Sequence, residues 1–235
     1  MARFFAAFNE IEQFLRQAIG AKNSDSFWWI VDRAHDKHLM SKRQAEQLKD
    51  FSNLRNAIAH GRYYDGEPIA TPHPQVLEQL ENLQHLLTDP PTAQSLLSER
   101  EVTTLSPDAD ILEALALIDR TGYSQIPIYD SGVFQALLTT NVIARWVAAD
   151  LSDDGVINGA SISAVLTMAE RKDRAEFLPR TATAQEVIDV LTEPSADGTH
   201  PSAVLLTEHG KPSQRPVAIA TPADLATLVD ALEWE

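Results

Sequence analysis

An imperfect tandem repeat in the second half of the chain constrains the fold more than any other feature of the sequence. From Leu105 the chain reads LSPDADILEALALIDRTGYSQIPIYDSGVFQALLTTNVIARWVA, which predicts a helix from Asp108, a turn at Gly122, two short strands and a second helix. A second copy repeats this order of elements, and its helix begins at Thr183, 75 positions after Asp108. Two copies of this length predict two supersecondary units that share one core.

The first part of the chain has a different pattern, in which apolar residues recur at helical spacing. Residues 2–19 and 75–87 each present one apolar face. The segment SFWWIVDRAHDK, residues 26–37, predicts another helix, and a further helix is expected to begin near Ser41, which can cap it. The sequence therefore predicts a four-helix module, followed by a linker at TDPPTAQS.

These patterns place the chain in the α + α/β class. We expect a four-helix bundle over residues 1–88, a linker over residues 89–97, and a pair of repeat units with small sheets flanked by helices over residues 98–235. The first copy of the repeat is expected at residues 98–150 and the second copy at residues 159–235.

The negative charge of the chain is unevenly distributed. The formal net charge is −15, of which −2 falls in residues 1–90 and −13 in residues 91–235. Because an acidic surface repels phosphate backbones, the second part is a poor candidate for nucleic-acid binding. Any contact with RNA is expected in the first 90 residues.

The composition excludes several classes of chemistry. The chain has no cysteine, which rules out disulfides, zinc–thiolate sites and thiol nucleophiles and suits a reducing compartment. We expect no metal site and no required cofactor. No apolar run approaches the roughly 18 residues that a membrane span needs, and Glu10 and Glu12 interrupt the apolar N-terminal segment. The sequence predicts a soluble, cytoplasmic protein without a membrane partner.

Short motifs in both copies of the repeat resemble the two halves of a CBS-domain pair. They are GYSQIPIYDSG followed by LLTTNVI in the first copy, and AVLLTEHG followed by AIATPADL in the second. The resemblance covers about residues 98–235. It implies clefts between the halves that bind adenosine-containing ligands such as AMP or ATP, and it implies a regulatory sensor.

The resemblance also implies particular ligand-binding residues. The family motif is a small residue, two apolar residues, Ser or Thr, two spacers and Asp, and the second copy matches it from Ala218 to Asp224. Asp224 would accept hydrogen bonds from the ribose hydroxyls, and Thr221 would lie beside the phosphate. Thr139 is the first-copy counterpart of Thr221 and is a third candidate, but Val142 stands where that copy needs its aspartate. We therefore expect one competent cleft.

Helix capping is an alternative explanation for Thr221 and Asp224. The sequence Thr-Pro-Ala-Asp is also a Thr-x-x-acid helix start with proline at the first helical position, and Thr183 with Glu186 repeats this pattern. The residues alone leave both explanations open. The position of the motif at a predicted strand-to-helix junction favours the ligand role.

At the end of the predicted third helix, the stretch LRNAIAHG carries three candidate catalytic residues, Arg55, Asn56 and His60. They resemble the Arg-Asn-x-x-x-His motif of HEPN domains, small helical bundles, and the resemblance covers about residues 1–88. Many members of that family are metal-independent ribonucleases. The resemblance implies that His60 assists the RNA 2′-hydroxyl in attacking the adjacent phosphate and that Arg55 stabilises the developing charge.

Helical spacing leaves a structural alternative open for these three residues. Asn53, Asn56 and His60 lie on one stripe of the helix, whereas Arg55 lies about 100° from Asn56. His60 could instead stabilise the helix C-terminus as an imidazolium, while Arg55 and Asn56 tie a dimer or a loop together.

The leading hypothesis is a regulatory homodimer in which the CBS-like pair senses an adenine nucleotide and controls the HEPN-like module. The first alternative is an enzyme, a metal-independent ribonuclease that the ligand gates and whose N-terminal module binds RNA. The second alternative is a structural dimerisation protein that binds no ligand, which the presence of Val142 favours.

Overall fold

The computed structural model describes residues 1–37, 39–60, 69–97, 101–154 and 159–232. The chain divides into two compact units, of which the first ends at Pro90 and the second begins at Pro91. Within the described ranges, no helix is long and apolar enough to cross a membrane. The same ranges contain no cluster of three or more histidine, aspartate or glutamate side chains that could hold a metal ion.

The described part of the first unit contains four helices around one apolar core. They are α1 (Ala2–Ile19), α2 (Phe27–Asp36), α3 (Lys42–His60) and α4 (Pro74–Thr88). Helix α1 packs against the other three helices, and its buried face includes Phe4, Phe8, Ile11 and Leu15. The four helices predicted from apolar spacing are confirmed, whereas their HEPN-like character stays a prediction.

Local hydrogen bonds explain where these helices begin and end. The Gln44 N–H donates to Ser41 Oγ at 3.3 Å, and the Ser41 N–H donates to Gln44 Oε1 at 2.8 Å, so the two residues form a reciprocal cap on α3. Ser26 caps α2 by accepting a hydrogen bond from the Trp29 N–H at 3.3 Å. Gly20 ends α1 in the left-handed conformation, with φ of 69°.

The second unit begins with the first copy of the repeat. Its elements are α5 (Ala93–Leu97), α6 (Ile111–Thr121), β1 (Gln125–Asp130), β2 (Val133–Thr139), α7 (Thr140–Asp154) and α8 (Ile162–Val165). Strands β1 and β2 pair antiparallel through a turn at Ser131 and Gly132, both of which have positive φ. The predicted order of helix, strand, turn, strand and helix is confirmed.

Helix α6 begins two residues later than the sequence predicts. Asp110, not Asp108, caps this helix, because the Asp110 carboxylate accepts a hydrogen bond from the Leu112 N–H at 2.8 Å. The Asp108 N–H instead donates to Ser106 Oγ at 3.3 Å in the preceding turn. Two acidic residues were available as caps, and the turn before the helix selects the second.

The second copy contains a strand that the sequence analysis does not predict. Its elements are β3 (Ala175–Pro179), α9 (Ala184–Thr192), β4 (Ala203–Thr207), β5 (Pro216–Ala220) and α10 (Leu225–Asp230). Strand β3 runs parallel to β4, and β5 pairs antiparallel with β4, which gives the order β3-β4-β5. Among the described residues of the first copy, the corresponding position holds a parallel bridge between Leu105 and Ile128.

The segment expected to be a linker, residues 89–97, contains helix α5. Ala93 and Leu97 are buried in the same apolar cluster as Val187 and Leu206 of the second copy. Helix α5 therefore packs as part of the second unit.

Candidate ligand-binding cleft

A cleft of about 350 Å³ lies between the two copies of the repeat. Its described lining residues are Val102, Thr103, Thr121, Gly122, Tyr123, Ser124, Gln125 and Pro127 from the first copy and Ile219, Thr221, Ala223 and Asp224 from the second. Gly122 ends α6 in the left-handed conformation, and its N–H donates to the Ile118 carbonyl at 2.7 Å. This turn directs residues 123–125 along the cleft.

The predicted pair Thr221 and Asp224 lies in this cleft, directly after strand β5. Asp224 is buried, with 5% of its surface exposed. Its Oδ2 accepts hydrogen bonds from the Thr221 N–H and the Thr221 hydroxyl, both at 2.8 Å. The pair therefore forms the helix cap that was the alternative explanation for these residues. The same pair also lines a cleft that a ligand could enter.

The cleft combines apolar surface with hydrogen-bonding groups. Val102, Pro127 and Ile219 supply apolar atoms, whereas Tyr123 and Gln125 supply polar side chains. Asp224 is the one charged side chain among the described lining residues. A concave site of this kind suits a small molecule that has both apolar surface and hydrogen-bonding groups.

The third predicted ligand residue, Thr139, lies outside this cleft. Its side chain is buried, and its hydroxyl donates to Asp173 Oδ1 at 2.7 Å and accepts a hydrogen bond from the Val142 N–H at 3.1 Å. Asp173 Oδ2 accepts hydrogen bonds from the Glu170 N–H at 2.9 Å and from the Arg145 guanidinium. The Asp173 side chain is completely buried.

The pKa of Asp173 lies below its usual value. Burial acts to raise this pKa, but the hydrogen bonds from the Glu170 N–H and Thr139 and the positive charge of Arg145 lower it by more. The carboxylate is therefore ionised at neutral pH, and it pairs with Arg145, whose side chain is 29% exposed.

No motif in the sequence points to Asp173 or to the lining residues Thr103, Tyr123 and Gln125. The motif GYSQIPIYDSG contains two of these lining residues without assigning them a role. Asp173 is 34 positions from Thr139, and no local pattern connects them. A contact of this kind becomes visible only in the folded chain.

A smaller cleft of about 300 Å³ in the first unit contains two of the three candidate catalytic residues. Arg55 and Asn56 both line it, and Arg55 Nη1 donates to Asn56 Oδ1 at 3.2 Å. The Nε of Arg55 is buried and has no hydrogen-bond partner among the described residues. His60 is exposed on the last turn of α3 and is not one of the described residues that line this cleft. Arg55 and Asn56 are thus in contact in this cleft, and the catalytic role of the three residues stays a prediction.

Comparison with known proteins identifies part of the second unit. Residues 95–148 match the family model of the CBS domain. A protein with CBS domains from Burkholderia ambifaria has 14% sequence identity and a TM-score of 0.44, over 61% of this chain and 97% of that one. The CBS domain pair of MJ0100, solved with 5′-methylthioadenosine and S-adenosyl-L-methionine, has 17% identity and a TM-score of 0.44, over 60% and 98% of the two chains. CBSX2 in complex with AMP has 10% identity and a TM-score of 0.39, over 60% and 95%.

No sequence among the curated proteins matches the chain. The matched residues 95–148 begin within α5, include α6, β1 and β2, and end within α7. These elements belong to the first copy of the repeat. The chain therefore contains a CBS domain at residues 95–148.

Proposed function

We propose that the chain is a regulatory sensor whose second unit binds an adenosine-containing ligand in the cleft lined by Thr221 and Asp224. The observation that carries this proposal is the position of Asp224, a buried carboxylate at a strand-to-helix junction in a cleft between two copies of the repeat. The ribose hydroxyls donate to Asp224, and the base packs against Val102, Pro127 and Ile219.

The charges around the cleft favour a ligand with little negative charge. None of the described lining residues is a lysine or an arginine. Residues 91–235 carry a net charge of −13. Each added phosphate therefore increases the repulsion without a direct counter-charge from these residues. We expect AMP to bind more tightly than ATP.

Replacing Asp224 with alanine is expected to weaken AMP binding about 10- to 100-fold. A hydrogen bond to a charged group contributes about 1.5–3 kcal/mol, and about 1.4 kcal/mol corresponds to a factor of ten in affinity. Isothermal titration calorimetry of the parent chain and of Asp224→Ala measures this difference.

Glu186→Ala is the matched control for that experiment. Glu186 accepts the same two kinds of hydrogen bond, from the Thr183 N–H at 2.8 Å and the Thr183 hydroxyl at 3.2 Å, but it does not line the cleft. The Glu186→Ala variant should lose a helix cap and keep the affinity of the parent chain for AMP. Unchanged affinity in Asp224→Ala, or an equal loss in both variants, would contradict the ribose role. A parent chain that binds no adenosine ligand would favour the structural dimerisation protein instead.

The proposal includes control of the N-terminal helices and a homodimeric assembly. Trp28 and Trp29 are each 48% exposed on α2, which gives the first unit apolar surface for a second copy to cover. Hydrogen exchange of helices α1 to α4 with and without AMP tests whether the ligand regulates these helices. Light scattering of the free chain tests the assembly.

A second candidate function is a metal-independent ribonuclease in the first unit. The observation that favours it is the contact between Arg55 and Asn56 in a cleft that Trp28 also lines. A guanidinium stabilises phosphate charge, and an aromatic ring offers a surface on which an RNA base can stack. In this candidate function, His60 assists the attack of the 2′-hydroxyl.

This candidate predicts cleavage of single-stranded RNA in the presence of EDTA, with a 2′,3′-cyclic phosphate on the product, because the nucleophile is internal to the RNA. His60→Ala is expected to abolish cleavage. His85→Ala is the control, since His85 is also an exposed histidine in the last turn of a helix of this unit. Electrophoresis measures the cleavage by each variant, and end-group analysis identifies the cyclic phosphate. Cleavage that EDTA removes, or that His60→Ala retains, would rule out this function.

A further inference from the structure

Three hydrogen-bond donors, one of them in the same turn, converge on the carboxylate of Asp173. They are the Thr139 hydroxyl at 2.7 Å, the Glu170 N–H at 2.9 Å and the Arg145 guanidinium. The side chain that they surround is completely buried. A hydroxyl, an amide and a guanidinium around one point form a binding site for a carboxylate.

This carboxylate has the same kind of partner as Asp224 has in the other copy, namely a threonine hydroxyl at the end of a strand. Thr139 is the last residue of β2, and Thr221 directly follows β5. Each threonine hydroxyl donates to a carboxylate at a similar distance, 2.7 Å to Asp173 and 2.8 Å to Asp224. In the first copy, Val142 at the equivalent of Asp224 is buried and apolar. The first copy has no carboxylate at this position of the motif, and Asp173 supplies one from a different segment of the chain.

A second cleft, beside Thr139, would have walls equivalent to those of the cleft at Asp224. The segment before β3 would take the place of residues 102–103, and the segment before β4 would take the place of residues 121–125. These two segments are bonded to each other. The Ser202 hydroxyl donates to the Lys172 carbonyl at 2.7 Å, and the Ser202 N–H donates to the Arg174 carbonyl at 3.0 Å. Arg174 Nη1 also donates to Thr199 Oγ1 at 2.8 Å. Three bonds thus join these two walls, whereas the described bond between the corresponding segments of the cleft at Asp224 runs from Tyr123 Oη to the Glu101 carbonyl at 3.3 Å.

We infer that the first copy holds a carboxylate-binding site, built from Thr139, Arg145 and the Glu170 N–H, that the chain's own Asp173 occupies as a tethered internal ligand. Thr139 then binds Asp173 and no external ligand. Of the two clefts that the repeat could form, the described residues then leave the one at Thr221 and Asp224 to a soluble ligand. This inference does not depend on the identity of that ligand.

The test is chemical rescue of Asp173→Ala by formate. The substitution removes the carboxylate and leaves the three donors, and formate returns a carboxylate of the right charge without the side chain. Sodium formate at ten times its dissociation constant is expected to raise the melting temperature of Asp173→Ala by about 4 °C over the same concentration of sodium chloride. If the variant does not fold in chloride, its refolded yield should rise in formate.

Three controls make the result specific. The parent chain has its site filled and should melt at the same temperature in both salts. Asp110→Ala removes an exposed capping carboxylate and should also show no difference. Combining Asp173→Ala with Arg145→Met removes the guanidinium and should abolish the formate effect. Equal behaviour of Asp173→Ala in formate and chloride would overturn the inference, and this result is separate from any titration with AMP.

Discussion

Arg145→Met is expected to destabilise the second unit by about 3 kcal/mol, because the substitution leaves the Asp173 carboxylate buried without its counter-charge. Arg145 also donates from Nε to the Met168 carbonyl at 2.9 Å and pairs with Glu170 at 3.4 Å. The guanidinium therefore holds residues 168–173 against helix α7. Denaturant unfolding at pH 7, followed by circular dichroism, measures the loss.

The double variant Arg145→Met/Asp173→Leu is the control for this prediction. Removing both charges is expected to recover most of the lost stability, because apolar side chains of similar volume often replace a buried ion pair without cost. A double variant as unstable as Arg145→Met would show that the loss comes from packing and not from the unpaired charge.

The loss of unfolding free energy in Arg145→Met is also expected to depend on pH. In the parent chain the pKa of Asp173 is lowered, so its contribution to stability is complete above about pH 4 and is lost as the pH falls through the folded-state pKa. The difference in unfolding free energy between parent and variant should therefore shrink below about pH 4. A difference that stays constant down to pH 3 would contradict the ion pair as its cause.

Ile111→Ala is expected to destabilise the second unit by about 3 kcal/mol, because Ile111 is completely buried at the start of α6 and its truncation leaves a cavity. Leu112 is the adjacent residue of the same helix and is 59% exposed, so Leu112→Ala should change stability by less than about 0.5 kcal/mol. Denaturant unfolding of both variants measures the difference. Similar losses in the two variants would mean that α6 presents a different face to the core.

The helices of the first unit could be predicted from the sequence because local chemistry determines them. Leu48, Phe51 and Ile58 recur at helical spacing and are buried in α3. Ser41 is a residue type that caps helices, and it caps α3 as expected. In these cases the residues that decide the structure are neighbours in the sequence.

Strand β3 could not be predicted because its structure depends on a distant partner. Its sequence, AEFLP, has five residues and ends in proline, which gives no clear strand signal. It becomes a strand by pairing in parallel with β4, about 28 positions later in the chain. Local propensity carries no information on such a pairing.

The candidate site could be predicted only in part, for the same reason. The motif ending at Asp224 is local, and the structure places Thr221 and Asp224 in one cleft. Thr139 follows the same local pattern, but its hydroxyl binds Asp173 from the connection between the two copies. A motif therefore identifies the residue types at a junction, whereas the fold decides whether a ligand or another side chain meets them.

A crystal structure of the chain with AMP would show whether the cleft at Asp224 takes the ligand while Asp173 keeps its place beside Thr139. We expect one AMP in the cleft at Asp224, with its ribose hydroxyls within hydrogen-bond distance of Asp224 and with Asp173 still bonded to Thr139 and Arg145. AMP bound at Thr139 with Asp173 displaced, or a cleft at Asp224 that stays empty at saturating AMP, would contradict this expectation.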